Sequence, residues 1–462
     1  MNKHSLYILF LLAAFACVQC TKISKSEDKI SLPTEVVEII KKGITQGLTP
    51  GIAMALIDSS GIHYMNFGKT TSDGTEVNEH TIYEIGSITK AFTGILLAQQ
   101  VLDGDIQLDQ EISALLPNRQ KIPVVDDIEI TVGNLTDHTS GLPRMPSNFN
   151  PTNPNNPFAD YSVEQMYEFI SNYHPKHPVG STYEYSNIGQ GLLGHLLALN
   201  QNTTYEDLMV QTIATPLQMA DTRIVFTSRM KENLAPGHSN GEVVENWDLP
   251  TLAGAGAIRS SAADMAKFIS ANLGYTNTPL TEAMSLSHQI RHNKAGNMSV
   301  AMAWHVKKDE NQDIIWHNGR TGGYCSFVGF NKETGKGIVL LTNSSTYADD
   351  ITEIGLYIMD PDGGLTARKF KSDAIILPES LLKQYLGVYE LQPNLRLTIT
   401  KEGTQLYGQV TGQQRFEMYA ENDSSFFLTT VKAQITFQQK KGETNNLILY
   451  QLGQKITGKK IE

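Results

Sequence analysis

The chain has 462 residues, 40% of them hydrophobic, a formal net charge of −11 and three cysteines. That length accommodates two hydrophobic cores, and the acidic balance argues against nucleic acid or an anionic membrane surface as a partner. Cys17 and Cys20 lie at the N-terminus and only Cys325 in the body of the chain, so disulfides are not its source of stability. Cys325 is expected as a small buried strand residue.

Residues 1–20 read as a signal segment. Lys3 and His4 precede an apolar run from Leu6 to Ala16, too short to span a bilayer comfortably, and Ala14-Phe15-Ala16 fits a small-x-small cleavage site. Cys17 and Cys20 also suggest lipid attachment on a bacterial lipoprotein, although neither follows an ideal lipobox. Residues 21–33 would then be a polar tether. The expected location is the cell envelope, either periplasmic or as a membrane-anchored lipoprotein. No second apolar run reaches spanning length.

Two apolar runs, Gly51 to Ile57 and Ile62 to Phe67, flank Asp58-Ser59-Ser60-Gly61 and predict a hairpin. Next comes Ser87-Ile88-Thr89-Lys90, followed by a run in which Ala91, Ile95, Ala98 and Leu102 recur with the spacing of one buried helix face. The serine would sit at a helix N-terminus with a lysine one turn on, and residues three apart on a helix have Cβ atoms roughly 5–6 Å apart. Free N–H groups and the positive dipole end lie beside such a hydroxyl. This arrangement can make a hydroxyl an acyl-transfer nucleophile without a histidine. The spacing alone carries little, because Ser26–Lys29, Ser228–Lys231 and Ser380–Lys383 share it, and a capping serine near a solvated lysine is the plainer reading of each.

The stretch from Arg144 to Tyr161 is rich in Pro and Asn, which predicts irregular structure able to line a side pocket. After the turn signal Pro178-Val179-Gly180 comes Tyr183-Glu184-Tyr185-Ser186-Asn187, then a leucine-rich run that suggests a buried helix. In an extended segment Tyr185 and Asn187 point the same way, a phenol and an amide facing one cleft. Tyr64–Asn66 and Tyr275–Asn277 repeat the spacing, and a packing tyrosine beside a turn asparagine is the alternative. Ser260 to Phe268 reads as a capped helix with Asp264 as a first-turn dipole partner rather than a catalytic acid. Farther on, Trp316-His317-Asn318-Gly319-Arg320-Thr321-Gly322-Gly323 separates two apolar runs as a hairpin turn, with a further strand from Gly337 to Asn343. A lone histidine is more often a satisfied structural residue than a catalytic one, and His317 gains weight only by following the two earlier motifs in order.

Residues 361–377 look like a linker. Beyond Pro378, short alternating runs at roughly ten-residue intervals predict an antiparallel barrel or sandwich. No internal repeat or low-complexity tract is present. The domain reading is a hydrolytic body over 34–360, the linker, and a C-terminal barrel over 378–462.

Taken together these motifs resemble the penicillin-recognising serine hydrolases: class C β-lactamases, DD-peptidases and their esterase and D-aminopeptidase relatives. The resemblance runs from about Ile39 to Asn343. It is carried by Tyr83-Glu84-Ile85-Gly86-Ser87-Ile88-Thr89-Lys90, Leu135-Thr136-Asp137-His138-Thr139-Ser140-Gly141-Leu142-Pro143, Tyr185-Ser186-Asn187, Pro216-Leu217-Gln218-Met219, Ala253-Gly254-Ala255-Gly256 and His317-Asn318-Gly319. It implies an α+β fold, a β-lactamase/transpeptidase-like domain with an antiparallel sheet flanked by helices, followed by a small lipocalin-like barrel.

It also implies roles. Ser87 would form the acyl-enzyme, with Lys90 or Tyr185 as the base, the two sharing one proton network. The backbone N–H groups of Ser87 and Arg320 would hold the oxyanion, and Asn187 the substrate's amide or the lysine. His317, with Gly319 and Arg320, would line the substrate strand. Histidine stands where β-lactamases usually carry lysine, so its grip on a substrate carboxylate would be weaker or pH-dependent. That feature looks like the D-aminopeptidase and esterase branches. No cofactor or metal is implied, since His138, His174, His177 and His317 lie in no zinc-site spacing. The partner would be a small-molecule or peptide-like substrate, with the oligomeric state left open. The leading expectation is an exported serine hydrolase of the β-lactamase/DD-peptidase type. A carboxylesterase or D-aminopeptidase of the same fold, and a non-catalytic envelope binding protein using the barrel, are the alternatives.

Overall fold

The computed structural model describes residues 32–462 except 118–121, 123, 126–127, 295, 309–312, 366–367, 393–394, 430, 441–442 and 452–453. The signal segment, most of the tether, Cys17, Cys20 and the Ser26–Lys29 pair lie outside the described residues. Among the described residues no helix is long and apolar enough to cross a membrane.

An eight-stranded sheet forms the body of the hydrolytic region. Its strands run in the spatial order Gly61–Gly68, Gly51–Asp58, Lys336–Thr342, Cys325–Asn331, Ile314–Arg320, His305–Lys307, Met298–Val300 and His292–Asn293. Every neighbouring pair is antiparallel. The expected hairpin is present, with Asp58 opposite Gly61. Ala53, Ala55, Val328, Phe330, Val339 and Leu341 project from one face into the main core. Alternate residues project from the other face, where Gly355 of the helix Ala348–Met359 lets its backbone rest on the Phe327 ring. Covering both faces explains why the central strands are apolar without alternation.

On the core side, the helix Thr89–Leu102 is buried almost all round, from Thr89 to Ala98 and at Gln100. The predicted single apolar stripe is therefore too narrow: Leu102, assigned to it, is 45% exposed, while the residues between its members are buried. The sequence period reported one contact face, but further helices enclose the others. Phe92 of this helix stacks on Phe268 at 4.2 Å between centroids, within the helix Ala262–Asn272. Ser261 caps that helix by accepting from the Asp264 N–H, as expected for its start.

One boundary differs from the sequence reading. His317, Asn318 and Gly319 are not in the turn but in the strand Ile314–Arg320, where they pair with Val328, Phe327 and Ser326. The turn falls after Arg320, closed by the Thr321 N–H on the Tyr324 carbonyl. Ladder pairing with a strongly apolar neighbour overrides the turn propensity of an Asn-Gly pair.

Eight consecutive antiparallel strands, from Gly387–Gln392 to Gln454–Lys460, close into a C-terminal barrel. Its interior is occupied by its own side chains, among them Tyr385, Tyr389, Met418, Phe426 and Phe437, with Tyr385 stacked on Phe437 at 4.3 Å. The segment before it is tied down: Phe370 is buried, Lys42 pairs with Asp373 at 2.5 Å, and Arg368 meets Asp350 of the helix Ala348–Met359 at 2.8 Å.

The Arg368–Asp350 side chains are 3% and 2% exposed. Removing one partner of such a pair leaves the other charge buried and costs about 3–5 kcal/mol. Arg368→Leu is therefore expected to lower the chemical-denaturation midpoint strongly. The same measurement on Glu402→Gln, which breaks an exposed pair with Arg415, should show a change of about 0–1 kcal/mol.

Candidate active site

Ser87 lies in a short 3-10 turn, Gly86–Ile88, that runs directly into the helix Thr89–Leu102. Two glycines bring this turn against the end of the strand Ile314–Arg320. Gly86 has a left-handed φ of +50°, and a Cβ there would stand 2.8 Å from the Arg320 backbone nitrogen. A Cβ on Gly319 would stand 2.0 Å from the Ile85 carbonyl oxygen. That same oxygen accepts from Ser326 Oγ at 2.8 Å. The backbone before Ser87 and the backbone at Arg320 are therefore closely packed against each other, and both residues line one cleft.

Lys90 has no exposed surface. Its Nζ lies 2.8 Å from Ser87 Oγ and 2.6 Å from the Ala255 carbonyl, and among the described residues no carboxylate pairs with it. Burial, reinforced by the positive charge of Arg144, holds the amine well below its usual range. A neutral amine has a lone pair for the Ser87 hydroxyl and still donates to Ala255. The turn Ala253–Gly256 supplies that carbonyl, and its Gly254 carbonyl accepts from Thr93 Oγ1 at 2.7 Å, one turn farther along the helix. The other serine–lysine pairs contrast sharply, since Ser228, Lys231, Ser380 and Lys383 are all exposed.

Tyr185 and Asn187 flank Ser186, the N-cap of the helix Asn187–Asn200, so Asn187 begins the helix instead of continuing an extended segment. Both still reach the site. The Lys90 amine is 4.9 Å from the Tyr185 ring centre, and Asn187 lines the same cleft as Ser87. The Asn187 amide contacts Met145 Sδ at 3.6 Å. Burial pushes the Tyr185 phenol up to about 12, against the opposing pull of its hydrogen bond with Ser87 and the Arg144 charge. Amine and phenol are thus displaced in opposite directions, the first toward its neutral base form and the second toward its protonated form.

Three buried imidazoles surround that phenol, with centroid distances to Tyr185 of 4.6 Å for His138, 6.4 Å for His305 and 6.5 Å for His317. His305 stacks on His317 at 4.7 Å. Burial depresses all three, His305 to about 3, and nearby cations add to the effect. His138 Nδ1 accepts the Ser186 N–H at 3.1 Å, which leaves its proton on Nε2. His317 Nδ1 faces the Asn318 carbonyl at 2.6 Å and donates to it. His317 is fully buried, and that burial holds its ring well below its usual range.

The cleft at Ser87 encloses about 330 Å³ of space open to solvent, with Phe158, Trp247, Leu249 and Leu252 forming an apolar wall. Phe158 comes from the irregular loop expected to line a side pocket. A buried ion pair holds Trp247: its N–H donates to Glu84 Oε1 at 2.8 Å and its carbonyl accepts from Arg259 at 2.6 Å. Glu84 and Arg259 themselves approach to 3.6 Å.

The structure therefore brings Ser87, Asn187 and Arg320 to one cleft, with Lys90 and Tyr185 on Ser87, Gly319 beside Arg320, and His317 buried 6.5 Å from the Tyr185 ring. Sequence reasoning missed the Ala255 carbonyl, Arg144, His305, the clamp on Trp247 and the contact of His138 with Tyr185. Only Glu84, three residues before the serine, and the small-residue run at 253–256 left a local signal. Among the described residues no group of three or more His, Cys, Asp or Glu side chains could hold a metal ion.

Comparison with known proteins agrees with this architecture. A family model described as Beta-lactamase matches residues 36–359, and one described as a domain of unknown function (DUF3471) matches residues 371–461. A β-lactamase of Psychrobacter immobilis is 25% identical over 310 residues, 65% of this chain and 73% of the relative. The crystal structure of a β-lactamase/D-alanine carboxypeptidase from Pseudomonas syringae superposes with a TM-score of 0.59 at 23% identity, covering 67% of this chain and 93% of that one. An octameric penicillin-binding protein homologue from Pyrococcus abyssi superposes with a TM-score of 0.63 at 19% identity and covers 92% of this chain and 99% of its own. Its reach along the chain extends the shared fold into the barrel.

Gly319→Ala tests the contact between serine turn and strand. The added methyl must push the strand off Ile85 and misalign the Arg320 N–H. Loss of one oxyanion donor costs about 10²–10³ in turnover, so ester hydrolysis should fall by that order while circular dichroism keeps the native secondary structure.

Proposed function

We propose a serine acyl-enzyme mechanism on an amide or ester for this chain, which belongs to the β-lactamase family of serine hydrolases. The observation that carries the reading is the fully buried Lys90 amine 2.8 Å from Ser87 Oγ with no carboxylate partner among the described residues. Neutral Lys90 takes the Ser87 proton as Oγ bonds to the substrate carbonyl carbon. The oxyanion then sits on the Ser87 and Arg320 backbone N–H groups. Collapse breaks the bond to the leaving nitrogen or oxygen, which receives its proton from the Lys90–Tyr185 network, and water hydrolyses the ester by the same route. Asn187, His317, Gly319 and Arg320 bind and align the substrate. The opposite displacements of Lys90 and Tyr185 favour the lysine as the resting base and the phenol as a proton donor.

Within this family the candidate substrates are β-lactams, D-amino-acid peptides and carboxylic esters. A neutral His317 where β-lactamases carry a cation favours the esterase and D-aminopeptidase side. The pattern of residues 1–20 supports export to the cell envelope, with lipid attachment at Cys17 or Cys20 as the finer form of the proposal.

Labelling by a fluorescent penicillin or a fluorophosphonate should mark the wild-type protein and vanish in Ser87→Ala; equal labelling of both overturns the assignment. Because Lys90 must be neutral to act, activity should fall as pH drops through its depressed pKa. The rising limb of kcat/KM against pH should therefore have its midpoint well below 10.5. A midpoint at or above that value would mean that the lysine is not the base.

A further inference from the structure

We propose that Arg144, seconded by Lys294, holds an anionic group of the substrate beside Tyr185, so that the preferred substrate carries a carboxylate near its scissile bond. This rests on the hydrolase reading and names a charge-selecting residue within it.

Arg144 is stitched to the second motif. The Pro143 carbonyl accepts from Ser186 Oγ at 2.8 Å, and the Arg144 carbonyl accepts from the Asn187 N–H at 3.0 Å. From that pinned backbone the guanidinium lies 5.0 Å from the Tyr185 ring centre. Its charge also bears on the Lys90 amine. On the same tyrosine-bearing segment, the half-buried Lys294 amine lies 4.1 Å from the Tyr183 ring centre. His138 sits between the two rings, 5.7 Å from Tyr183 and 4.6 Å from Tyr185.

Nothing negative answers these cations. Among the described residues no carboxylate pairs with Arg144 or Lys294, whereas the neighbouring Arg291 is paired with Asp137. Glu184 lies between the two tyrosines in sequence, but it makes no ion pair with either cation, and its charge acts on Tyr173. The buried Nε2 of His138, which carries the ring proton, has no partner. Arg144 thus stands at the Tyr185 ring, with Lys294 at the neighbouring Tyr183 ring and the unspent His138 donor between the two. A carboxylate at Arg144 meets its charge, and a guanidinium fork suits the carboxylate geometry. Because His317 is fully buried and burial holds its ring well below its usual range, the positive charge beside Tyr185 is here offered by Arg144.

The test compares kcat/KM for phenyl acetate with that for 3-carboxyphenyl acetate and for phenyl hydrogen succinate, which put the carboxylate on the leaving group and on the acyl group respectively. The readout is the ratio of an anionic ester to the neutral one, so effects of Arg144 on Lys90 common to all esters cancel. Wild type should favour at least one anionic ester, a preference that added salt weakens because Arg144 is exposed. Arg144→Gln should lower that ratio about tenfold, the scale of one charge-assisted hydrogen bond, Lys294→Gln by less, and Arg144→Lys should keep most of it. An unchanged ratio in Arg144→Gln for both anionic esters overturns the proposal. Loss of phenyl acetate turnover in Ser87→Ala checks the hydrolase reading separately.

Discussion

The constraint on which the rest of this structure depends is the burial of an amine without a counter-ion. A lysine removed from water and given no carboxylate sheds its proton affinity, and the fold spends considerable structure to keep Lys90 in that state. The helix that carries it is enclosed on nearly every side. A carbonyl from the small-residue turn Ala253–Gly256 gives it a neutral acceptor. The imidazoles around Tyr185 are themselves buried and uncharged. Among the described residues no carboxylate pairs with the amine, an environment that suits the proposed base, which must start neutral and return to neutrality in each half of an acyl transfer.

Around that centre the architecture separates two jobs. Backbone contacts through Gly86 and Gly319 bring together the Ser87 and Arg320 main chain, the proposed oxyanion donors. Side chains on separate supports define what can approach them: the clamped Trp247 wall, the loop bearing Phe158, and Arg144 anchored to the cap of the second-motif helix. The barrel stands outside this division, its buried side chains forming a core cluster of their own. It joins the hydrolytic region through the helix Ala348–Met359, by way of Arg368–Asp350 and Lys432–Glu353. Thr352 of that helix accepts from the Asn318 amide, one residue from His317.

Much of this was legible in the chain itself. The serine–lysine run, the Tyr185–Asn187 pair and His317-Asn318-Gly319 are local motifs, and their order along the sequence suggested one site. The barrel was legible because its strands are short, alternating and consecutive. Features made by distant residues meeting in space were not legible. Arg144 is an unremarkable loop residue until Asn187 binds its carbonyl, and His305 becomes significant only when its strand pairs beside that of His317. The strand through Asn318-Gly319 was misread as a turn for the same reason, because its partner strand, not its own composition, decides its conformation.

The glycine contact beneath Ser87 has a consequence for how such a protein can change over generations. On the proposed mechanism the groups that hold the oxyanion belong to the main chain, so cleft side chains other than Ser87, Lys90 and Tyr185 can change without erasing the chemistry. Positions 86 and 319 are held as well, by the lack of room for even one methyl group. A histidine on the strand and an arginine from a loop can then alter what is bound while the nucleophile stays in place. Diversity of substrates and permanence of mechanism are then two outcomes of the same tight backbone approach.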